Sequence, residues 1–476
     1  MTTPGTYVDG AWGGAGRPLA VRNPADVDEL VAEIDAGDAA TVAAACAAAA
    51  QAAPGWGATP GADRARLLDA FARELEACGD AIARDLVREE GKTLAEAGGE
   101  VRRAAQSLRY YAQEALAPLG DVLPPARPGA VTMTRRRPVG PVALITPFNF
   151  PLLVPAWKLA PALAYGNTVV WKPSELTPLT ALHVVRAAER AGLPPGVLNL
   201  VTGGAEVGAA LVAAPEIAAL SFTGSTAVGR AIERAVAGRG VRLQLEMGGA
   251  NAAVVLADAP LPETAAALLE GAMGGTGQRC TAIRRAVVER PALAPLAEAL
   301  RDGLAGWRLG SGLDPGVAMG PLVSAPAADR VLAAVDEARR HGASVVAGGS
   351  RPAENGLARG HFVEPTVLAG ATAGDEEVFG PLLTLIPVDD LDEAIAVANA
   401  TRYGLNAAVF TADLARALRF ADAAEAGMVH VNATGGVAVH VPFGGIKDSG
   451  LGPFEQGRAA AELFTRPRVI HLHPTP

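Results

Sequence analysis

A cysteine and a glutamate carry the strongest chemical signal in this sequence. Cys280 ends the segment Gly-Gln-Arg-Cys at 277–280, and Glu246 ends a largely apolar segment. A thiol can capture a carbonyl carbon covalently, and a carboxylate can then activate the water that hydrolyses the resulting acyl group. The pair therefore indicates a two-step covalent reaction on a carbonyl compound.

The residues around Cys280 favour a reactive thiol over the small core residue that a lone cysteine usually is. Glycines at 274, 275 and 277 leave room for a ligand, and Thr281 is predicted to begin a helix. A helix N-terminus lowers the pKa of a thiol and offers backbone N–H groups to an oxyanion. Cys46, in an Ala-rich helix, and Cys78, near a helix end, are interpreted as structural.

The composition is that of a globular protein with more than one core. Half of the 476 residues are hydrophobic and 19% are charged, and a chain of this length usually forms two or three domains. The net charge of −9 argues against a nucleic-acid partner, because nucleic acids select basic surfaces. The arginines at 135–137 are interpreted as a strand end that faces solvent or another subunit.

A cytoplasmic location is expected. Three cysteines are too few for a disulfide framework and favour a reducing compartment. The first ten residues lack the pattern of a signal peptide, and no apolar segment approaches the roughly 20 residues of a membrane span. The cysteines and histidines lack the spacing of metal ligands, so neither a metal site nor a membrane partner is expected.

The chain begins with helices and then alternates strands with helices. Early helices are predicted at 41–53, 64–79, 80–91 and 99–117, followed by a strand at 130–137. Strands are then predicted at 142–145, 168–171, 197–201, 219–222 and 241–245, with helices at 151–165 and 177–191. A second such pattern has strands at 252–256, 286–289, 344–347 and 429–432, with helices at 264–273, 291–303, 327–341 and 391–399. The pattern predicts an α/β fold with parallel sheets, and a last strand is expected at 465–472.

Polar residues follow the ends of the first strand set, where ligands of parallel sheets bind. They are Asn149, Lys172, Glu175, Ser225 and Glu246. No Gly-x-Gly-x-x-Gly motif follows the first strand, and the glycine turns at 203–208 and 224–229 are each interpreted alone as turn geometry. Lys172 and Glu175 either hold ribose hydroxyls or form a surface ion pair.

Seven motifs occur in the order and at the spacings of one enzyme family. They are PFNFP at 147–151, KPSE at 172–175, FTGS at 222–225, LEMGG at 245–249, GQRC at 277–280, EVFGP at 377–381 and PFGG at 442–445. With these motifs the chain resembles the NAD(P)-dependent aldehyde dehydrogenase superfamily over nearly its whole length. The resemblance implies the fold of that family. It has a Rossmann-like parallel-sheet cofactor domain at 1–119 and 138–247, an α/β catalytic domain at 248–440, and a β-arm for oligomerisation at 120–137 and 450–476.

The resemblance implies a catalytic role for three residues. Cys280 is the expected nucleophile, Glu246 the general base, and the Asn149 amide is expected to join the Cys280 backbone N–H in an oxyanion hole. Thiolate attack would give an alkoxide, loss of hydride to the cofactor a thioester, and hydrolysis the acid. Partial burial is expected to raise the pKa of Glu246 above its ordinary value of about 4.3, which makes it a stronger base.

The expected cofactor is NAD, with NADP as the alternative, because the Glu175 carboxylate beside the ribose should repel a 2′-phosphate. Lys172 and Glu175 would hold the adenosine ribose, Ser225 the pyrophosphate and Glu377 the nicotinamide ribose. The full set of expected cofactor contacts is Ile145, Thr146, Pro147, Phe148, Lys172, Ser174, Glu175, Gly204, Gly208, Phe222, Gly224, Ser225, Val228, Met247, Gly248, Glu377 and Phe379.

Two arginines provide the clue to the substrate. Arg279 precedes the nucleophile, and the family pattern places Arg103 at the substrate tunnel, where two guanidinium groups suit an anion. Arg279 has a surface or interdomain ion pair as its alternative role. The expected substrate contacts are Arg103, Phe150, Trp157, Arg279 and Thr281.

The motif around Cys280 resembles two branches of the family. One contains 2-oxoglutarate semialdehyde dehydrogenases, and the other contains non-phosphorylating glyceraldehyde-3-phosphate and phosphonoacetaldehyde-type enzymes. Phe150 and Gly436 replace the tyrosine and arginine of the phosphate-handling branch. The sequence therefore favours a short carboxylate semialdehyde.

Two other functions remain as alternatives. A CoA-acylating relative would pass the thioester to CoA, but such enzymes typically lack the glutamate found at 246. A non-catalytic scaffold would not need Asn149, Glu246 and Cys280 together. The family's β-arm predicts a homodimer or homotetramer, and Ala250, where the family usually has lysine, has no assigned effect.

Overall fold

A computed structural model of the protein describes residues 2–117, 120–353, 355–370 and 377–473. Within these ranges, the first large sheet has the strand order Gly450–Leu451, Arg242–Glu246, Ala219–Thr223, Pro141–Ile145, Thr168–Lys172, Leu198–Val201, Thr6–Val8 and Ala11–Gly13. Neighbours from Arg242–Glu246 to Leu198–Val201 are parallel, and the outer pairings are antiparallel. The predicted α/β fold with a parallel sheet is confirmed.

The order of the strands creates one crevice at the edge of this sheet. The chain leaves Pro141–Ile145 toward Thr168–Lys172 on one side and later returns to Ala219–Thr223 on the other. Loops that leave neighbouring strands in opposite directions open a gap beyond their carboxyl ends, where ligands of such sheets bind.

Helices cover both faces of the first sheet. They are Ala39–Ala58, Gly61–Ala77, Gly79–Glu90, Leu94–Glu114, Leu153–Ala164, Pro178–Arg190, Ala205–Ala213 and Thr226–Val236. The helix Leu94–Glu114 begins at a capping box, in which Thr93 and Glu96 satisfy each other's backbone N–H groups. This cap fixes the end of the helix that lies nearest the candidate site.

The second large sheet includes the strand Ile283–Glu289, which begins three residues after Cys280. Its order is Ser344–Ala347, Thr366–Ala369, Leu382–Val388, Ile283–Glu289, Asn251–Val255, Asn406–Phe410 and Met428–Val431, parallel except for the Ser344–Ala347 edge. Its helices are Leu261–Met273, Arg290–Leu304, Ala325–Arg340, Leu391–Asn399 and Leu414–Ala423. A small ladder pairs Tyr403–Gly404 with Ile446–Lys447.

The arm sheet pairs Thr465–Leu472 with Val131–Pro138, which pairs in turn with Val122–Leu123. Gly450–Leu451 instead pairs with Arg242–Glu246 of the first sheet. The assignment of residues 450 and 451 to the arm is therefore wrong, because their backbone completes the edge next to Glu246. The other domain boundaries stay predictions.

Several elements have no counterpart in the sequence prediction. A hairpin of Arg17–Asn23 with Asp26–Ala36, flanked by Thr3–Pro4, precedes the first helix. Short helical turns occur at Gly274–Gly277, Asn355–Leu357 and Gly457–Ala460, the last leading into the helix Ala461–Phe464. None of the helices in the described ranges is long and apolar enough to cross a membrane.

Candidate active site

The turn that presents Cys280 has a left-handed backbone. Gly275, Thr276 and Gly277 have φ angles of 61°, 56° and 64°. A left-handed residue that carries a Cβ costs about 1–2 kcal/mol, which applies to Thr276. The Thr276 hydroxyl donates to the Gly320 carbonyl at 3.1 Å. Packing and this bond therefore hold the turn in a strained form.

The helix predicted at Thr281 is absent from the described structure. Thr281 lies in a turn, and the strand Ile283–Glu289 begins two residues later. Cys280 therefore does not lie at a helix N-terminus. Burial and the nearby charges of Glu377 and Glu246 raise its thiol pKa to about 12, although a hydrogen bond from the Thr281 N–H acts in the opposite direction. The prediction of a lowered thiol pKa is wrong. The thiol is protonated at neutral pH and must lose its proton before it attacks.

The Cys280 side chain is half-buried against an apolar cluster. The cluster includes Trp157, whose ring centroid lies 5.1 Å from that of Phe443, and Phe150 packs beside it. The expected substrate contacts Trp157 and Phe150 therefore lie in the same cluster as the nucleophile. A carbonyl compound that reaches the sulfur would meet an apolar wall here.

Two donors beside the thiol suit an oxyanion. One N–H of the buried Asn149 amide donates to the Gln278 carbonyl at 2.7 Å, and a primary amide has a second N–H to offer. The Cys280 backbone N–H donates to no acceptor within the described residues. Both members of the predicted oxyanion hole therefore lie on adjoining segments, with one donor each available.

A buried lysine, Lys92, supports the backbone of the segment around Asn149. Lys92 Nζ donates to Glu100 Oε2 at 2.6 Å and to the Asn149 carbonyl at 2.7 Å. The other oxygen of Glu100 accepts the backbone N–H groups of Leu152 and Leu153, both at 2.9 Å. These bonds fix the backbone on both sides of Phe150.

Glu246 is 4% exposed at the end of the strand Arg242–Glu246. Burial, and next the charge of Glu455, raise its pKa well above the ordinary value, while Lys158 and the Gly445 N–H, at 3.2 Å, lower it. The predicted direction is confirmed. A carboxyl with a raised pKa accepts a proton more readily, as a general base requires.

A cavity of about 260 Å³ opens beside Asn149. Its lining includes Asn149, Phe150, Arg103 and Arg279, together with Lys92, Glu96, Gly99, Arg102, Gln106, Gly275 and Gln278. Arg279 Nη2 and Nη1 pair with Glu96 and Glu270, each at 3.0 Å. Arg279 thus lines the cavity and also forms the ion pair that the sequence left as its alternative.

Arg103 is held differently. Its guanidinium carbon lies 5.9 Å from the centroid of the Phe150 ring, and its Nε makes a long hydrogen bond of 3.4 Å to the Gly99 carbonyl. Within the described part of the chain, neither Arg103 nor its neighbour Arg102 has a carboxylate partner. The cavity therefore contains two guanidinium groups whose charge is not balanced by a pair.

The turn and helix start that are expected to hold the pyrophosphate have the geometry of a phosphate site. Ser225 is exposed and caps the helix Thr226–Val236, with its hydroxyl accepting the Val228 N–H at 3.4 Å. A helix N-terminus at the carboxyl edge of a parallel sheet binds phosphate groups through its free N–H groups and its dipole. The predicted contacts Ser225 and Val228 lie at this terminus.

Two glycines let this helix approach the sheet. A Cβ at Gly224 would lie 2.5 Å from the Phe222 ring, and one at Gly229 would lie 2.4 Å from Met247 Sδ. Any larger residue would push the helix away from the strand ends. Phe222 and Met247, both expected cofactor contacts, are buried against these glycines.

Lys172 and Glu175 lie at and just beyond the end of the strand Thr168–Lys172, which the strand Pro141–Ile145 separates from Ala219–Thr223. Lys172 is buried, and its Nζ donates to the Pro173 carbonyl at 3.0 Å and to Glu175 Oε2 at 3.4 Å. Burial lowers the Lys172 pKa. The Glu175 side chain keeps 46% of its surface exposed, so it can accept ribose hydroxyls while it pairs with Lys172.

The expected nicotinamide end lies on the side of the second sheet. The Gly249 N–H donates to Glu377 Oε1 at 3.1 Å, and a Cβ at Gly248 would lie 2.2 Å from Glu377 Oε2. Phe379 has a left-handed φ of 53° and packs edge-on against Phe148, with ring centroids 5.8 Å apart. The predicted contacts from the two sheets thus meet here.

The remaining predicted contacts occupy strand ends or turns, except Gly208, which lies in the helix Ala205–Ala213. They are Ile145, Thr146, Pro147, Ser174, Gly204, Gly208 and Thr281. The sequence analysis missed charged groups that lie beside the reacting residues, namely Lys92, Glu100, Lys158, Arg284 and Glu455. Their types alone gave no signal, because a lysine or arginine in a helix or strand is usually a solvated residue.

Comparison with known proteins agrees with the geometry. The model of the "Aldehyde dehydrogenase family" matches residues 12–470. The chain is 39% identical to the alpha-ketoglutaric semialdehyde dehydrogenase of Bacillus subtilis (strain 168), covering 98% of each chain. It is 42% identical to the phenylacetaldehyde dehydrogenase of Pseudomonas fluorescens, over 97% of this chain and 94% of the relative.

A solved structure shares the whole fold. PnpE from Pseudomonas sp. WBC-3 has a TM-score of 0.95 and 37% identity, over 100% of this chain and 99% of PnpE. A structure of PnpE in complex with nicotinamide adenine dinucleotide gives a TM-score of 0.96 and 38% identity, over 99% and 98%. The family model that matches residues 12–470 and these relatives show that the chain belongs to the aldehyde dehydrogenase family.

Proposed function

We propose that the aldehyde oxidised by this NAD(P)-dependent enzyme carries a carboxylate at its far end, as a short semialdehyde of an oxo acid does. The observation that carries the proposal is the pair of unbalanced guanidinium groups, Arg102 and Arg103, in the cavity beside Asn149. The cavity volume of about 260 Å³ suits a chain of a few carbon atoms.

The electrostatics of the cavity support an anion. Burial lowers the pKa of Arg103, and the charges of Arg279 and Arg102 lower it further against the opposite effect of Glu100. Like charges at close range destabilise one another, so a bound carboxylate would relieve that repulsion. Guanidinium also offers the paired donors that a carboxylate accepts.

Arg103 is the proposed anchor rather than Arg279. Two carboxylates already balance the Arg279 guanidinium, so an incoming anion would have to compete with Glu96 and Glu270. Arg279 would then shape the cavity and hold Glu96 away from the substrate. The name of the Bacillus subtilis relative, a semialdehyde dehydrogenase, supports the same substrate class.

Each reacting residue has its own role in the proposed mechanism. The Cys280 thiol passes its proton to solvent water and its thiolate binds the carbonyl carbon, while the Asn149 amide and the Cys280 N–H stabilise the alkoxide. When bound, the nicotinamide cofactor accepts a hydride. Glu246 then takes a proton from water, and the attack of that water on the thioester releases the acid. Glu175 favours NAD over NADP, because it would repel a 2′-phosphate.

A neutral apolar aldehyde is the second candidate. The cluster of Trp157, Phe443 and Phe150 beside Cys280 would suit an aromatic ring, and the Pseudomonas fluorescens relative is named for phenylacetaldehyde. This candidate leaves Arg102 and Arg103 without a role in binding.

Steady-state kinetics with Arg103→Leu distinguish the candidates. The variant should raise KM for a carboxylate semialdehyde by roughly 10- to 100-fold, the loss expected for a charge-assisted hydrogen-bonded pair. KM for a neutral aldehyde should stay within about twofold. Arg109→Leu is a matched control, since Arg109 lies on the same helix but pairs with Glu76 and Asp69. Equal effects on both substrates, or a wild-type preference for phenylacetaldehyde, would contradict the proposal.

The subunit arrangement and location follow as further proposals. The arm sheet of Thr465–Leu472, Val131–Pro138 and Val122–Leu123 exposes Val122, Val469 and Leu472, which supports pairing of subunits into a homodimer or homotetramer. Sedimentation at several concentrations would test this. The cysteines at 46, 78 and 280 form no disulfide, which supports a cytoplasmic location.

A further inference from the structure

We propose that Arg284 is a positioning residue that fastens the turn before Cys280 to the segment after Phe379. Its guanidinium donates one N–H to the Gly277 carbonyl and another to the Gly380 carbonyl. Gly277 belongs to the nucleophile's turn, and Gly380 follows the residues expected to hold the nicotinamide end. One side chain thus spans the two halves of the hydride-transfer site.

The burial of Arg284 supports this positioning role. It is 8% exposed, and within the described residues it forms no ion pair with any carboxylate. Its Nε is buried without a hydrogen-bond partner in the same described set. A buried cation without a carboxylate partner is costly, so its two bonds to backbone carbonyls are the compensation that the structure provides.

The two fastened segments lie in direct backbone contact. A Cβ at Gly277 would lie 2.2 Å from the Gly380 carbonyl oxygen and 2.7 Å from the Pro381 nitrogen. No side chain fits between them at this point. The separation of the two segments therefore depends on the bonds that hold both carbonyls, and Arg284 supplies both.

Both segments also carry backbone strain. Thr276 and Phe379 have left-handed φ angles of 56° and 53°, which cost on the order of 1–3 kcal/mol each in residues with a side chain. Such conformations persist only where surrounding contacts fix them. Without the guanidinium, each turn can relax toward ordinary φ values and carry Cys280 or Glu377 with it.

The charge of Arg284 also interacts with Cys280 and Glu377. Burial lowers its pKa to about 10, while Glu377 and Cys280 raise it. The same interaction with Cys280 favours the thiolate over the thiol. Loss of the charge should therefore make the thiol less reactive even when no substrate is present.

Three variants test the proposal. Arg284→Met removes both bonds and the charge, Arg284→Lys keeps the charge but cannot hold two carbonyls in a fork, and Arg285→Lys is the matched control. Arg285 is the next residue on the same strand, so its side chain points to the opposite face. It also binds backbone carbonyls, those of Ala250, Val397 and Ala398.

Two readouts separate positioning from general stability. In single-turnover reduction of NAD with any accepted aldehyde, Arg284→Met should be slower by 10- to 100-fold, since a displacement of about 1 Å can cost that much. Alkylation of Cys280 by iodoacetamide, without substrate, should also slow, with its pH profile moved to higher pH. Arg284→Lys should keep the wild-type pH profile and recover only part of the single-turnover rate. It also carries the test if the Met variant does not fold.

Arg285→Lys should lower the melting temperature without changing either rate. Wild-type acylation and alkylation in both Arg284 variants would overturn the proposal, as would equal losses in Arg285→Lys. Because alkylation needs no aldehyde and the turnover test accepts any aldehyde, a wrong assignment of the carboxylate substrate would leave these outcomes unchanged.

Discussion

Two buried lysines, Lys92 and Lys158, each pair with a glutamate near the reacting residues. The polar clusters around these two lysines differ in whether their hydrogen bonds go to backbone groups or to side chains. Lys92 Nζ donates hydrogen bonds to the Asn149 carbonyl and to Glu100. Lys158 bonds to Glu455, whose charge acts on Glu246. The first cluster therefore supports the expected oxyanion donor, and the second acts on the expected base.

In the Lys92 cluster, most of the hydrogen bonds go to backbone groups. Besides the lysine, Glu100 accepts the N–H groups of Leu152 and Leu153, and Lys92 donates to the Asn149 carbonyl. Glu90 completes the cluster by accepting the Lys92 backbone N–H at 2.9 Å. Since three of these bonds end on the backbone of residues 149–153, the charged groups hold the shape of that segment.

The Lys158 cluster is built from side chains and leaves a carboxyl able to titrate. Lys158 donates to the Ser221 hydroxyl at 2.7 Å, and that hydroxyl donates to Gln244 Oε1 at 2.5 Å. Among the described residues, the Glu246 carboxyl group accepts a single hydrogen bond, from the Gly445 N–H at 3.2 Å. A group that must take and release a proton is thus held loosely, whereas a donor that must stay in place is held tightly.

The first way to test this contrast is Glu246→Gln. Removal of a general base typically costs 10²- to 10⁴-fold, and the loss should fall on thioester hydrolysis alone. Mixing the variant with NAD and aldehyde should give a burst of about one equivalent of reduced cofactor per site and then a stall. Mass spectrometry should find the acyl group on Cys280. Rapid turnover by this variant would remove Glu246 from the mechanism.

Lys92→Met should affect the other half of the reaction. Without the lysine, Glu100 is a buried carboxylate that lacks its cation, and breaking a buried pair in this way costs about 3–5 kcal/mol. Chemical denaturation should show that loss of unfolding free energy, and the burst phase should slow because Asn149 loses its brace.

Lys158→Met is the matched comparison for Lys92→Met. It removes a lysine of equal burial but should leave the burst phase near the wild-type rate, and slow hydrolysis at low pH because Lys158 lowers the Glu246 pKa. If Lys92→Met slowed hydrolysis and spared the burst, the division of labour between the clusters would be wrong.

The fold could be predicted where local pattern decides it. The helix predicted at 99–117 is Leu94–Glu114, and the five strands of the first parallel set agree within about two residues, because helical periodicity and short β-branched segments are local signals. Asn406–Phe410 and Leu382–Val388 were missed, since a short strand buried on both faces has no alternation to detect.

The site could be predicted in its residues but not in its geometry. Motifs named Cys280, Glu246 and Asn149, yet the left-handed turn before Cys280 depends on a bond between Thr276 and a residue 44 positions away. Lys158 and Glu455 are 297 positions apart. Such pairings depend on tertiary packing, so neither spacing nor residue type in the sequence announces them.

The smallest expected effect comes from Glu455→Gln. Burial is the main cause of the raised Glu246 pKa and the Glu455 charge is the second, while Lys158 opposes both. Without the Glu455 charge, Lys158 acts unopposed and the Glu246 pKa falls. Because the ionised carboxylate is the active form of the base, the acid limb of thioester hydrolysis should move to lower pH by roughly one unit.

Ser221→Ala is the control for this shift. It removes the neutral partner of Lys158 and leaves every charge in place, so the acid limb should stay where it is. Hydrolysis of the preformed acyl-enzyme, followed between about pH 5 and 9, isolates the step. A limb that stayed in place in Glu455→Gln would mean that neither Glu455 nor Lys158 acts on Glu246 through its charge. The second cluster would then be a brace like the first, and the titration of Glu246 would depend on burial alone.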